Sequence, residues 1–201
     1  MKAVSWNDGW TVKHLDETGE GTPVRIPHDA MLAEKKARMH PVVQIQGGMR
    51  VMITYMKKIS YRVMNIKQKM ILEFEGVYHE AEVWINDIKV AFRPYGYTNF
   101  YVDVTELFHI GKHNHISVIA RNANQPNSRW YSGAGIYRPV TLWVGDDIYI
   151  PVNGVKIRTV SIEPAKIEVS VQTNAASPVS IEIIDPDGNA VCTRKANVRT
   201  R

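Results

Sequence analysis

Apolar and polar residues alternate at a period of two along most of this chain, and no long stretch repeats at the 3.6-residue spacing of a core helix. Clear cases are residues 81–85, 100–104 and 115–120, each bounded by Gly, Asn, Asp or Pro. Successive side chains of a strand point to opposite faces, so this alternation gives each strand one apolar face. The pattern therefore predicts an all-β fold of many short strands.

Such short strands cannot each bury two faces, so we expect them to form two antiparallel sheets packed over one core, as in a sandwich or jelly roll. The dipeptide Asn86-Asp87 separates two apolar segments. Both residue types tolerate a positive φ, which predicts a two-residue hairpin turn at this point.

The character of the sequence changes near Gly145, Asp146 and Asp147, after which aromatic residues become sparse and a new series of alternating segments begins. We therefore predict two domains, residues 1–147 and residues 148–201. The second block has about half of the roughly 100 residues of an immunoglobulin-like sandwich, so we expect its sheets to be incomplete.

The net charge of +5 and the pI of about 9.3 raise the question of nucleic-acid binding. Basic residues are interspersed with acidic ones, and the densest cluster is the last eight residues, from Arg194 to Arg201. We therefore expect no nucleic-acid partner. No apolar run approaches the roughly 18 to 20 residues of a membrane span, so we also expect no membrane partner. Cys192 is the single cysteine, which fits a cytoplasmic and a periplasmic protein equally well.

Known catalytic motifs are incomplete in this sequence, because another residue stands where each motif needs a specific one. The segment from His79 to Val83 begins like a zinc-binding HExxH, but Val83 replaces the second histidine. Ser132 lies among glycines, yet Trp130 stands where a nucleophile elbow needs the first glycine. Glycine-rich phosphate-binding motifs are absent as well. The sequence therefore predicts no metal site, no cofactor and no catalytic residue in this chain.

The run from Asn127 to Val140 is the most distinctive segment, because it combines aromatic rings, small residues and arginines. Aromatic rings can stack on the apolar face of a sugar while polar groups bind its hydroxyls. Alternatively, Trp130, Tyr131 and Tyr137 fill the edge of the sandwich, and the glycines allow a tight bend before the next strand. Composition alone favours the packing interpretation over the sugar-binding one.

Several segments together resemble the N-terminal, sugar-binding region of family 2 glycoside hydrolases, which include β-galactosidases, β-glucuronidases and β-mannosidases. The segments stand in the family's order and are residues 7–10, 26–29, 72–77, 81–86, 96–100, 103–105 and 129–140. The resemblance covers residues 5–145 and implies a jelly-roll first domain. It also implies that residues from about 148 onward begin an immunoglobulin-like second domain.

The family's chemistry, as the resemblance implies it, is retaining hydrolysis by two carboxylates about 5 to 5.5 Å apart. Both belong to a TIM-barrel domain that follows the second domain and needs about 250 residues of its own. We therefore expect a C-terminal barrel of the same parent chain as a partner and a β-glycoside or oligosaccharide as the substrate. As in related enzymes, we also expect a homo-oligomer, and we expect this chain alone to be inactive. Glu73 and Glu75 share one face of a predicted strand, where we expect a solvated or salt-bridged edge rather than catalysts.

In related enzymes the first domain supplies loops to the rim of the active site. The resemblance therefore implies Asn127, Arg129 and Trp130 as carbohydrate-binding residues, and His28 and Asp29 as residues that fix a domain interface. Two alternatives remain open: a free-standing carbohydrate-binding module, and an inert structural or interaction fragment. Glycan binding by the chain would separate these two.

Overall fold

The computed structural model describes residues 1–32, 51–60, 68–109, 111–122 and 133–198. These residues are almost entirely β, which confirms the predicted fold class. Within them, no helix has the length and hydropathy that a membrane crossing needs. The strands in chain order are β1 (Lys2–Ser5), β2 (Trp10–His14), β3 (Thr22–Val24), β4 (Val51–Ser60), β5 (Lys69–Phe74), β6 (Ala81–Ile85), β7 (Ile88–Arg93), β8 (Phe100–Asp103), β9 (His113–Asn122), β10 (Val140–Gly145), β11 (Val155–Ser161), β12 (Lys166–Val171), β13 (Ser177–Ile184) and β14 (Ala190–Val198).

The chain divides into two compact units, one formed by residues 3–144 and the other by residues 1–2 with 145–201. Strands β1 to β10 form two sheets, a four-stranded sheet in the order β1-β10-β5-β8 and a six-stranded sheet in the order β3-β2-β4-β9-β6-β7. Long antiparallel strands dominate the larger sheet, because β4 pairs with β9 from Val51↔Asn122 to Ser60↔His113. The neighbours in each sheet are mostly distant in sequence, as in the predicted sandwich.

The buried apolar side chains of the described residues all lie between Trp6 and Val144. Alternation selects them: in β6, Ala81, Val83 and Ile85 are buried, whereas the two residues between them are partly exposed. Burying each large apolar side chain contributes about 1.5–3 kcal/mol. The largest fully buried side chains are Trp10, Tyr55, Phe74, Ile26, Leu72, Ile85, Ile116, Ile136, Val77 and Val83.

The second unit contains two separate hairpins, β11–β12 and β13–β14. Apolar residues on both hairpins are solvent-exposed, including Ile157 at 69% and Val191 at 62%. A two-stranded sheet is marginally stable alone, because each of its faces needs a partner layer.

The hairpin predicted at Asn86-Asp87 is confirmed. It joins β6 to β7, and the φ angles of Asn86 and Asp87 are 47° and 67°. The Asn86 amide also donates to the carbonyl of Leu107 and to Asn114 Oδ1, each at 2.9 Å, and its Oδ1 accepts from the His115 N–H at 3.0 Å. Asn86 therefore supplies both the turn conformation and a link to β9.

We expect Asn86→Ala to lower the free energy of unfolding by about 1–3 kcal/mol, because it leaves several polar groups without partners and forces alanine into a positive φ. The neighbouring Asp87→Gly is expected to change it by less than about 1 kcal/mol, since glycine favours this turn position. Denaturant unfolding followed by tryptophan fluorescence measures both. Equal effects of the two substitutions would contradict this role of Asn86.

Candidate functional site

The predicted carbohydrate-binding residues Asn127, Arg129 and Trp130 lie outside the described residues, so their sugar contacts stay a prediction. The structure describes the segment that follows them, Gly133 to Pro139, which leads into β10. We call this segment the glycine turn.

Two glycines allow the glycine turn to pass close to other parts of the chain. The φ angles of Gly133 and Gly135 are 68° and 117°, values that side chains rarely permit. A Cβ at Gly133 would lie 2.6 Å from Asp29 Oδ2, and a Cβ at Gly135 would overlap the Tyr55 hydroxyl. Both positions therefore need glycine for conformation and for space.

One side of the glycine turn is bonded to the segment that follows Ile26. The Asp29 carboxylate accepts a hydrogen bond from the Ala134 N–H through Oδ1 at 3.0 Å. The backbone pairs as well, because the N–H of Ala30 donates to the carbonyl of Ala134 at 3.0 Å and that of His28 donates to the carbonyl of Ile136 at 2.8 Å. His28 and Asp29 thus position the glycine turn, while their predicted role at a domain interface stays a prediction.

The other side of the glycine turn is bonded to Tyr78 and Asn122. The backbones of Tyr78 and Gly135 exchange two hydrogen bonds of 2.9 Å. The buried Asn122 amide donates to the carbonyl of Gly133 at 2.8 Å. Sequence reasoning missed both residues, because neither stands in a recognisable motif and their partners are distant in sequence.

Tyr137 settles part of the choice between packing and sugar binding. Its ring is partly buried, and its hydroxyl donates to the carbonyl of Gly96 at 2.8 Å. This residue therefore fills the edge of the sandwich, as the packing interpretation predicts. Trp130 and Tyr131, the other two aromatic residues of that interpretation, lie outside the described residues.

A histidine and a buried tyrosine lie beneath the glycine turn. Nδ1 of His28 is 2.8 Å from the Tyr55 hydroxyl, which also donates to the His28 carbonyl at 3.2 Å. Burial raises the pKa of Tyr55, so its phenol stays protonated at neutral pH. Burial also lowers the pKa of His28, and the Asp29 carboxylate opposes that shift. The imidazole is therefore neutral near pH 7.

Glu73 corrects the sequence prediction of a solvated or salt-bridged edge. Its side chain is only 8% exposed, and its carboxylate accepts from Trp143 Nε1 at 2.7 Å and from Asn99 Nδ2 at 2.9 Å. An indole and an amide therefore cover this carboxylate on the outer face of the four-stranded sheet, and they replace the expected solvent or cation.

The described residues contain no group of three or more His, Cys, Asp or Glu placed to hold a metal ion.

We expect protonation of His28 to destabilise the fold. The pKa of His28 is lower in the folded chain than the ordinary value of 6.5, so acidification protonates the unfolded chain first. The free energy of unfolding should then fall as the pH drops through about 6.5, by at most about 1.4 kcal/mol per pH unit for one proton.

His28→Gln removes this titration, so the difference in unfolding free energy between wild type and variant should shrink from about pH 7.5 to about pH 5. His115→Gln, at an exposed position of β9, is the control for replacing a histidine elsewhere in the chain. Denaturant melts at several pH values measure both. A difference between wild type and His28→Gln that does not vary with pH would contradict the prediction.

No protein-family model matches the sequence. Among curated proteins, the chain is 32% identical over 144 residues to a protein of Formosa agariphila that is named as a candidate β-glucuronidase, a match that covers 69% of this chain and 14% of that protein. It is 40% identical over 102 residues to the β-galactosidase BoGH2A of Bacteroides ovatus, covering 51% of this chain and 12% of that protein.

Among solved structures, a family 2 glycosyl hydrolase of Bacteroides cellulosilyticus aligns with 98% of this chain, and the alignment covers 29% of that protein. The TM-score is 0.83 and the sequence identity is 22%, so the likeness is one of fold. The chain thus spans less than a third of the length of each of these three proteins. Sequence and fold agree that this chain is related to the family 2 glycoside hydrolases.

Proposed function

We propose that this chain is the N-terminal, non-catalytic portion of a retaining family 2 β-glycosidase, which hydrolyses O-glycosyl bonds. In this proposal residues 1–147 are a jelly-roll sugar-binding domain, and residues 148–201 are the first part of an immunoglobulin-like domain. The observation that carries it is the bonding of the glycine turn on both sides, by Asp29 and by Tyr78. The glycine turn lies inside residues 129–140, the segment that most resembles the family.

The role of the chain would be positioning rather than bond making. Two carboxylates of a barrel domain in the same parent chain would act on the β-glycoside. The glycine turn would hold the segment with Asn127, Arg129 and Trp130 at a fixed place, so that these side chains orient sugar hydroxyls and exclude water. Orientation of this kind lowers the activation barrier without a reacting group from this chain.

The proposal predicts a retained anomeric configuration for the complete parent protein. The test begins by sequencing the DNA downstream of codon 201 and expressing the full reading frame. With nitrophenyl β-glycosides of galactose, glucuronic acid and mannose, ¹H NMR should show the β-anomer of one sugar as the first product. An initial α-anomer, or a frame without a barrel domain, would overturn the proposal.

In that complete protein, we expect Asn127→Ala, Arg129→Gln and Trp130→Ala each to raise KM about tenfold to a hundredfold, because each removes a contact to the sugar. Turnover should change less, since the reacting carboxylates are untouched. Ser128→Ala, within the same segment, is the matched control and should behave like wild type. Steady-state kinetics measure this, and KM values that stay at the wild-type level would exclude a sugar contact for these residues.

A free-standing carbohydrate-binding module is the second candidate function. The observation that favours it is the pair of exposed rings Tyr95 and Tyr97, which are 59% and 42% exposed. Such a module would bind glycans without a barrel domain. The third interpretation, an inert fragment, is favoured by the exposed apolar strand residues of the second unit, which would promote self-association.

A further inference from the structure

Three tyrosines gather around Tyr137 of the glycine turn, and we call Tyr78, Tyr95, Tyr97 and Tyr137 the tyrosine cluster. The rings of Tyr95 and Tyr97 meet edge to face with centroids 5.6 Å apart, and Tyr97 meets Tyr78 in the same way at 5.2 Å. Tyr95 and Tyr97 lie between β7 and β8 and expose much of their ring area. Large exposed aromatic groups of this kind often mark a binding surface.

The backbone beneath the exposed rings is held in place. The carbonyl of Gly96, between Tyr95 and Tyr97, accepts the hydrogen bond from the Tyr137 hydroxyl at 2.8 Å. Gly96 also packs against Tyr78, because a Cβ at Gly96 would lie 2.6 Å from Cδ2 of that ring. The rings are therefore ordered before any ligand arrives, which reduces the entropy cost of binding.

An arginine that forms no ion pair with the described residues adjoins the cluster. Cζ of the exposed Arg138 lies 5.4 Å from the centroid of the Tyr137 ring. Within the described part of the chain, no carboxylate forms an ion pair with Arg138. This holds even for Glu75, although its backbone N–H donates to the carbonyl of Pro139, the residue after Arg138, at 3.1 Å. The guanidinium thus has donors available for an anion from solution.

The Tyr137 phenol lies within electrostatic reach of Arg138, Tyr97 and Tyr95. Burial raises the pKa of Tyr137, the Arg138 charge lowers it, and Tyr97 and Tyr95 raise it further. The phenols of Tyr95 and Tyr97 make no hydrogen bond to any of the described residues. Tyr137 links these groups, because its hydroxyl bonds to the Gly96 carbonyl between the two exposed rings and its ring lies beside the Arg138 guanidinium.

We propose that Tyr95, Tyr97 and Arg138 form a binding site for a sugar that carries a carboxylate. An exposed tyrosine ring packs against the apolar face of a pyranose, and the phenols bond to its hydroxyls. The guanidinium pairs with the carboxylate, a planar group that matches its paired donors. A neutral sugar would leave the guanidinium without an ionic partner. The proposal rests on the carbohydrate class of the proposed function and adds the acidic group.

The test titrates the 201-residue chain with two disaccharides that differ in one group, cellobiouronic acid and cellobiose, by isothermal calorimetry. We expect the acidic sugar to bind at least about tenfold more tightly, with an affinity that falls as salt rises. Arg138→Gln should bring the two affinities together. Tyr95→Ala should weaken both, and Tyr95→Phe should lose less because it keeps the ring.

Matched controls are Phe92→Ala, which removes another ring that is 53% exposed, and Arg25→Gln, which removes another positive charge in the same unit. Both should bind like wild type, and thermal melts should show that all variants are folded. Equal affinity for the two sugars, no effect of Arg138→Gln, or no binding by the folded chain would overturn the proposal. If the proposed glycosidase function is wrong, the complete parent protein will be inactive. The binding measurement uses only the 201-residue chain, so its result does not depend on that activity.

Discussion

The hydrogen bond from the Ala134 N–H to the Asp29 carboxylate joins two segments that are 105 residues apart, and the geometry of the site depends on it. Hydrogen bonds to a carboxylate are generally stronger than those between neutral groups. The carboxylate approaches so closely because Gly133 has no side chain, and the Tyr55 hydroxyl approaches Gly135 for the same reason. A side chain at Gly133 would displace Asp29, and one at Gly135 would displace Tyr55.

The hydrophobic core explains why the site belongs to the first unit. Every buried apolar side chain of the described residues lies between Trp6 and Val144, so this unit has the packing that holds a turn rigidly. The hairpins of the second unit expose apolar residues such as Ile157 instead. An exposed apolar strand face becomes stable when another layer of secondary structure packs on it. The second unit is therefore less able than the first to hold ligand-binding residues in fixed positions.

Local patterns predicted the parts of the structure that local chemistry decides. Alternation predicted strands such as β6, and the tolerance of Asn86 for a positive φ predicted the hairpin. The burial of Glu73 escaped prediction, because the residues that cover it, Trp143 and Asn99, come from distant positions. The same reason hid the bonding of the glycine turn, while the predicted residues Asn127, Arg129 and Trp130 lie outside the described chain.

Tyr78 connects the two surfaces to which we assign sugar chemistry. Its backbone exchanges two hydrogen bonds with Gly135, and its ring contacts both Gly96 and Tyr97. The backbone bonds hold the glycine turn, whereas the ring supports the exposed tyrosines. Because one residue serves both through different atoms, a change to the ring alone would disturb the tyrosine cluster and leave the backbone bridge in place. One residue therefore supports both the glycine turn and the tyrosine cluster, through different atoms.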